Sequence, residues 1–165
     1  WAEVKPKRSS KVVLHLLNEI VEKNNQLTAA SFTNQNSDML NRILEQTLRF
    51  VTHNFLVVIF SDFYGASDQT TKLLKQISQH NDVIGGIVTD DMEYKLNSGM
   101  IIGAGDQQIN LSEIKVEEKD KYTFNQKAKL EEFKENLINY RITPLEFNTN
   151  EAVPDQIRKM LGGRR

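Results

Sequence analysis

The chain has 165 residues, of which 39% are hydrophobic and 26% charged, so it is an ordinary soluble protein with enough residues for one sizeable core. Positive and negative charges nearly cancel, with 21 Lys and Arg against 22 Asp and Glu, which argues against a general nucleic-acid binder or a membrane-surface protein. The absence of cysteine excludes disulfides, zinc fingers and thiol catalysis, and a cytoplasmic location is expected.

Two helices are predicted before the first strand. Ser9 or Ser10 can cap the first helix, which should end near Asn24. Its apolar positions recur at helical spacing: Val13, Leu16, Leu17 and Ile20. Ser37 caps the second helix. The stripe along one face of that helix consists of Leu40, Ile43, Leu44, Thr47, Leu48 and Val51.

Two strands and a helix between them follow. Residues 55–60 (FLVVIF) are apolar throughout and too short for a helix, which is typical of a central parallel strand covered on both faces. Residues 61–65 form a loop, Ser67 or Asp68 caps a third helix, and residues 83–88 form a second buried strand. The order strand, helix, strand predicts a right-handed parallel crossover.

The rest of the chain completes an α/β pattern. Glycines and short polar residues within 89–111 predict a small β-hairpin that turns at Gly105-Asp106. A long helix from about 121 to 140 and a short strand at 145–147 follow. The alternation predicts an open, mostly parallel sheet with flanking helices. A last helix is marked by Val153, Ile157, Met160 and Leu161.

Oxygen-bearing side chains come directly after the two main predicted strands. Ser61 and Asp62 follow the first strand, and Asp90 and Asp91 follow the second. Ligands of open parallel sheets bind outside the carboxyl ends of the strands, and carboxylates and hydroxyls suit Mg²⁺. The alternative is that Ser61 and Asp62 only cap the loop that they begin. The sequence contains no Gly-rich phosphate loop and no pattern of a nucleophilic triad.

Several segments, in their order along the chain, carry a resemblance to a known family. The sequence is similar to the bacterial domain-of-unknown-function family number fifty-eight, whose members contain a von Willebrand factor A-like domain and usually occur beside a MoxR-type AAA+ ATPase. The similar segments are Lys5-Pro6-Lys7-Arg8 with residues 13–17, Ser37-Asp38-Met39-Leu40, residues 56–63 with their Ser-Asp-Phe end, residues 91–96 with Gly99, and residues 144–161.

The resemblance implies that residues 1–165 are the C-terminal part of one von Willebrand factor A-like domain. In such domains three loops hold Mg²⁺ or Mn²⁺, and the first loop carries an Asp-x-Ser-x-Ser motif that would lie upstream of Trp1. Asp62 matches the aspartate of the third loop, while Ser37 stands in place of the second-loop threonine and Asp38 belongs to the same motif. The resemblance therefore implies an incomplete metal site of Asp62, Ser37 and Asp38, without a tightly bound ion in this chain.

The function that the resemblance implies is non-enzymatic protein binding. A MoxR-type ATPase would use the module in complex assembly or cofactor insertion on a client protein. In the family fold another strand pairs beside residues 55–60, so here we expect an open edge and a homodimer through it, or exchange of the N-terminal helices. Two alternatives stay open: a metal-dependent nuclease-like hydrolase using Asp62, Asp90 and Asp91, and a stand-alone structural dimerisation domain.

Overall fold

The computed structural model describes residues 4, 8–26, 37–63, 65–91, 101–104 and 107–162. The chain divides into two compact units, Trp1–Gln35 and Asn36–Arg165. Each unit is described by itself below.

The described part of the first unit forms the helix α1, at Ser10–Asn25. Its N-cap is Ser9, whose hydroxyl accepts a hydrogen bond from the backbone N–H of Lys11 at 3.3 Å, so the predicted helix and cap are confirmed. None of the residues of α1 is buried. Its exposed large apolar side chains are those of Val13, Leu14, Leu16, Leu17, Ile20 and Val21.

The second unit has the α/β architecture predicted from the sequence. Its main helices and strands are α2 (Ser37–Phe50), β1 (Leu56–Ser61), α3 (Asp68–Ser78), β2 (Asp82–Thr89), β3 (Ile101–Ala104), β4 (Gln107–Asn110), α4 (Val116–Asn139), β5 (Ile142–Asn148) and α5 (Val153–Leu161). A short 3-10 helix at Leu111–Glu113 precedes α4. All the predicted elements are present, but α4 begins at Val116 and not near Lys121, and β5 is longer than expected. Glu117 and Glu118 occupy the first turn of α4, where carboxylates stabilise a helix N-terminus.

The three longer strands form a parallel sheet in the order β1-β2-β5. Val57 pairs with Val83, which pairs with Ile142, so these three side chains share one face. Among the described strands β2 is central and β1 lies at an edge, so the prediction of residues 55–60 as a central strand is wrong for the described sheet. Helix-forming periodicity and strand length give no information about the order of strands in a sheet.

Helices cover one face of this sheet and enclose the core of the unit. Leu44 of α2, Ile77 of α3 and Leu137 of α4 are at most 1% exposed and belong to the same cluster as the three paired strand residues. The other buried members of the cluster are Phe63, Leu73, Leu74 and Ile87.

The opposite face of β1 is open. Leu56, Val58 and Phe60 are 65%, 44% and 65% exposed, while Val57 between them is 8% exposed. The prediction that this strand is covered on both faces is therefore wrong for the part of the chain that the structure describes. The ring of Phe60 leans over Gly86 towards Phe147, where a side chain larger than hydrogen would collide with it. Apolar side chains thus lie on both faces. On the face without helices Phe147 is buried beside Phe60, whereas Leu56, Val58 and Phe60 of β1 are exposed.

The remaining strands form the predicted hairpin. β3 and β4 pair antiparallel, with Ile102 opposite Ile109. The turn predicted at Gly105-Asp106 falls outside the described residues. None of the helices described is both long enough and apolar enough to cross a membrane.

Candidate functional site

The carboxyl ends of the parallel strands lie along one edge of the sheet. Ser61 pairs with Ile87 two residues before the end of β2, and Thr89 pairs with Asn148 at the end of β5. Asp62, which follows β1, and Asp90, which follows β2, therefore lie at the edge where parallel sheets bind ligands.

The turn after β1 presents Asp62 to solvent. The backbone N–H of Phe63 donates to Ser61 Oγ at 3.0 Å, and the Ser61 hydroxyl lies 3.5 Å from Asp62 Oδ1. Phe63 has a φ of 52°, a left-handed conformation that a bulky side chain rarely adopts. Its ring is buried 4.9 Å from that of Phe133 on α4. The hydrogen bond to Ser61 and the burial of the ring stabilise this turn and leave Asp62 exposed.

Asp91 and Asn148 join the ends of β2 and β5. Asn148 Nδ2 donates to Asp91 Oδ1 at 2.7 Å, which is short for an amide donor and typical of a bond to a charged acceptor. One oxygen of the Asp91 carboxylate is therefore engaged by a neutral amide. The sequence reasoning selected Asp91 and missed Asn148, although a polar residue at the end of the third parallel strand was a usable signal.

Gln156 holds the backbone around Asn148. It is 5% exposed, and its Oε1 accepts from the backbone N–H of Asn148 at 2.8 Å. Its Nε2 donates to the carbonyl oxygens of Asn148 at 2.8 Å and Glu151 at 2.9 Å. Gln156 was also missed from the sequence. In α5 the buried position is that of Gln156, whereas Val153, Ile157 and Leu161 of the predicted apolar stripe are exposed. A buried polar side chain needs hydrogen-bond partners, and Gln156 has three.

A cleft beside β5 and α5 has a volume of about 280 Å³. Two of its carboxylates have cationic partners: Lys159 lies 3.2 Å from Glu151, and Lys134 of α4 lies 2.5 Å from Glu146. The residues that line the cleft are Glu146, Asn148, Glu151, Gln156, Lys159 and Met160. The cleft is thus lined by polar side chains and by charges of both signs, together with Met160.

Lys134 bridges α4 to β5 and to a second glutamate. Its Nζ also lies 2.8 Å from Glu131 Oε1 on the preceding turn of α4. Partial burial acts to lower the pKa of Lys134, but the hydrogen bonds and charges of Glu131 and Glu146 outweigh it and raise that pKa above its ordinary value. The ammonium group is therefore charged at neutral pH and ties α4 to β5.

The predicted metal ligands are only partly within the described residues. Asp62 lies after β1, whereas the side chains of Ser37 and Asp38, at the start of α2, are outside the described part of the chain. Among the side chains that are described, no three carboxylates or histidines come together as a group that could hold a metal ion. Asp62, Asp90 and Asp91 belong to the described residues, and the proposal of a metal-dependent hydrolase that uses them stays a prediction from sequence.

Comparison of the chain with protein-family models, with curated proteins and with solved structures finds no match.

Proposed function

We propose that this chain is a non-enzymatic protein-binding module of a von Willebrand factor A-like protein, and that it works with a MoxR-type AAA+ ATPase on a client protein. The site of action in this proposal is the cytoplasm. The ATPase would drive complex assembly or cofactor insertion while the module holds the client or the ATPase.

The observation that carries the binding function is the exposed apolar strand β1. Leu56, Val58 and Phe60 project from a face that the helices of the second unit leave open, and β2 pairs with β1 on one side only within the described sheet. Contiguous apolar side chains on a soluble protein mark surfaces that bind other proteins. A strand edge adds backbone donors and acceptors for a partner.

The ordered sequence segments support the choice of a MoxR-type ATPase as partner. The α/β fold agrees with the architecture that those segments imply. We further propose that Mg²⁺ or Mn²⁺ joins the complex at Asp62, Ser37 and Asp38, where a carboxylate of the partner would complete the coordination. Mg²⁺ favours such sets of hydroxyl and carboxylate oxygens with near-octahedral geometry.

The test is a binding measurement with a purified MoxR-type ATPase from the same host, with and without Mg²⁺. We expect the immobilised chain to retain the ATPase, and we expect Asp62→Ala to weaken retention to the level seen without Mg²⁺. Asp155→Ala, an exposed aspartate on α5, is the matched control and should behave as the unmodified chain. If the ATPase passes through unretained at tens of micromolar chain, the assignment of this partner is wrong.

No observation on the described residues favours hydrolysis by Asp62, Asp90 and Asp91. The enzyme alternative stays a prediction from sequence. Cleavage of nucleic acid in Mn²⁺ that disappears in Asp62→Asn or Asp91→Asn would move the protein to the hydrolases.

A further inference from the structure

The two edges of the parallel sheet differ in their protection against strand addition. The β5 edge contains Pro144, which has no backbone N–H to offer, and Arg141 and Glu146 place charges beside it. Proline and charged side chains are the devices by which edge strands avoid pairing with other chains. The β1 edge, Leu56–Ser61, contains neither proline nor a charged residue. Among the described residues no strand pairs with its outer side.

The side chains of β1 alternate in exposure in a way that restricts how another strand could pair with it. The even-numbered residues Leu56, Val58 and Phe60 lie on the open face, while Val57 and Ile59 pack against the helical layer. Directly opposed residues of an antiparallel pair point to the same face. If even-numbered residues of β1 lie opposite even-numbered residues of an identical strand, the helices of both chains lie on the same side of the joined sheet. The two exposed apolar faces then lie together on the other side.

We propose that β1 pairs antiparallel with β1 of a second copy of this chain, about a two-fold axis that passes between the two Val58 residues. In this register Leu56 of one copy lies opposite Phe60 of the other, and the two Val58 residues lie opposite each other. Among the registers that place even-numbered residues opposite each other, this one pairs all of residues 56–60 of one copy with residues 56–60 of the other. The two three-stranded sheets become one six-stranded sheet, and the open apolar face becomes continuous across the axis.

The inference rests on the proposed binding function, because it assigns a partner to the same exposed strand. The dimer is weak by this geometry. One strand pair with a few side-chain contacts is a small interface, well below about 1,200 Å², and such interfaces belong to weak or transient complexes. A dissociation constant on the order of micromolar is the corresponding expectation. The continuous apolar face stays accessible to a further protein.

The first test compares the sedimentation of the purified chain with that of two lysine variants over a concentration series. Val58→Lys places two like charges opposite each other on the axis and should weaken the dimer at least tenfold. Thr143→Lys introduces the same charge at an exposed position on the same face of the sheet, but on β5, and should leave the dimer unchanged. Circular dichroism checks that both variants keep the fold.

The second test determines the register and does not depend on weakening the dimer. The natural chain contains no cysteine, so single cysteines report unambiguously. Val58→Cys places two Cα atoms about 4.5–5.5 Å apart in an antiparallel pair, a distance that a disulfide spans, and should cross-link on mild oxidation. Leu56→Cys places the corresponding atoms roughly 13 Å apart, because four residues separate them along the strands, and should not cross-link.

Several outcomes would overturn the inference. One is a monomer at every concentration together with no cross-linking of Val58→Cys. A second is efficient cross-linking of Leu56→Cys with none of Val58→Cys, which would exclude this register. A third is a dimer that resists Val58→Lys but is lost in Leu17→Glu, which would place the contact on α1. A strict monomer that still retains the ATPase would refute the dimer but not the proposed function. A dimer that does not retain the ATPase would refute the ATPase as partner but not the dimer.

Discussion

Gln156 shows how one polar side chain can organise the end of a sheet. It is the buried residue of α5, and it bonds three backbone groups of the turn at residues 148–151. Asn148, at the start of this turn, donates a hydrogen bond from its side-chain amide to Asp91. The arrangement of the β2 and β5 ends therefore depends on a residue of α5.

Replacing Gln156 with methionine keeps its length and removes its hydrogen bonds. The backbone groups of Asn148 and Glu151 would then be buried or half-buried without their present partner, which costs about 1–3 kcal/mol for each group that water cannot reach. We expect the free energy of unfolding to fall by about 2–4 kcal/mol in urea titrations. Arg158→Ala, which breaks only the exposed ion pair with Asp155, should change it by less than about 0.5 kcal/mol. Equal effects of the two changes would contradict the role given to Gln156.

Asp62 is the residue for which divalent-metal binding is most directly measurable. Two or three oxygen ligands hold Mg²⁺ poorly against its hydration, so the purified chain should show no micromolar Mg²⁺ or Mn²⁺ binding by isothermal titration calorimetry. Asp62→Ala should give the same flat titration. Micromolar binding that disappears in Asp62→Ala would show that this chain completes a metal site by itself.

At the scale of elements, α2 and α3 are joined by a buried polar contact between their apolar faces. Thr70, which is fully buried, donates its hydroxyl hydrogen to Asn41 Oδ1 at 2.7 Å and accepts from the backbone N–H of Ser67 at 2.9 Å. Ser67 caps α3 and accepts in return from the backbone N–H of Thr70 at 3.4 Å. The capping box of α3 therefore also fixes the position of α2.

Thr70→Val tests this junction with almost no change of volume. The substitution removes both hydrogen bonds and leaves the Asn41 oxygen and the Ser67 N–H without that partner, so we expect a loss of about 2–3 kcal/mol in the free energy of unfolding. Thr71→Val, at the adjacent and less buried position, is the control and should cost under about 1 kcal/mol. Thermal unfolding followed by circular dichroism measures both. A cost for Thr70→Val no larger than the control would mean that the junction adds nothing to stability.

Sequence patterns predict these elements because each pattern reflects local geometry. The caps Ser9 and Ser67 are local signals, and the structure confirms them. In the predicted stripe of α2, Leu44 is buried and Leu40 and Leu48 pack against the core, whereas Ile43 is 45% exposed. The open face of β1 could not be predicted, because its exposed and buried residues are equally apolar. The hydrogen bond between Asp91 and Asn148 joins residues 57 positions apart, and only the tertiary fold brings them together.

At the scale of the whole molecule, the hydrophobic core that the structure describes lies in the second unit. The cluster of buried residues and the apolar side chains packed against it all lie between Leu40 and Ile142. Within the first unit, α1 buries none of its residues. An isolated 16-residue helix is only marginally stable in water, so α1 is not expected to be stable on its own.

A chain shortened to residues 36–165 should therefore keep both the fold and the dimer. Because the described core residues are retained, we expect one cooperative thermal transition within about 2 °C of that of the 165-residue chain, which corresponds to less than about 1 kcal/mol. The β1 edge is also retained, so the concentration dependence of sedimentation should be unchanged. A shortened chain that is folded but monomeric would show that residues 1–35 join the two copies and would contradict pairing through β1. Cross-linking of Val58→Cys in the shortened chain provides the independent check, because it reports the contact at Val58 whatever the overall affinity.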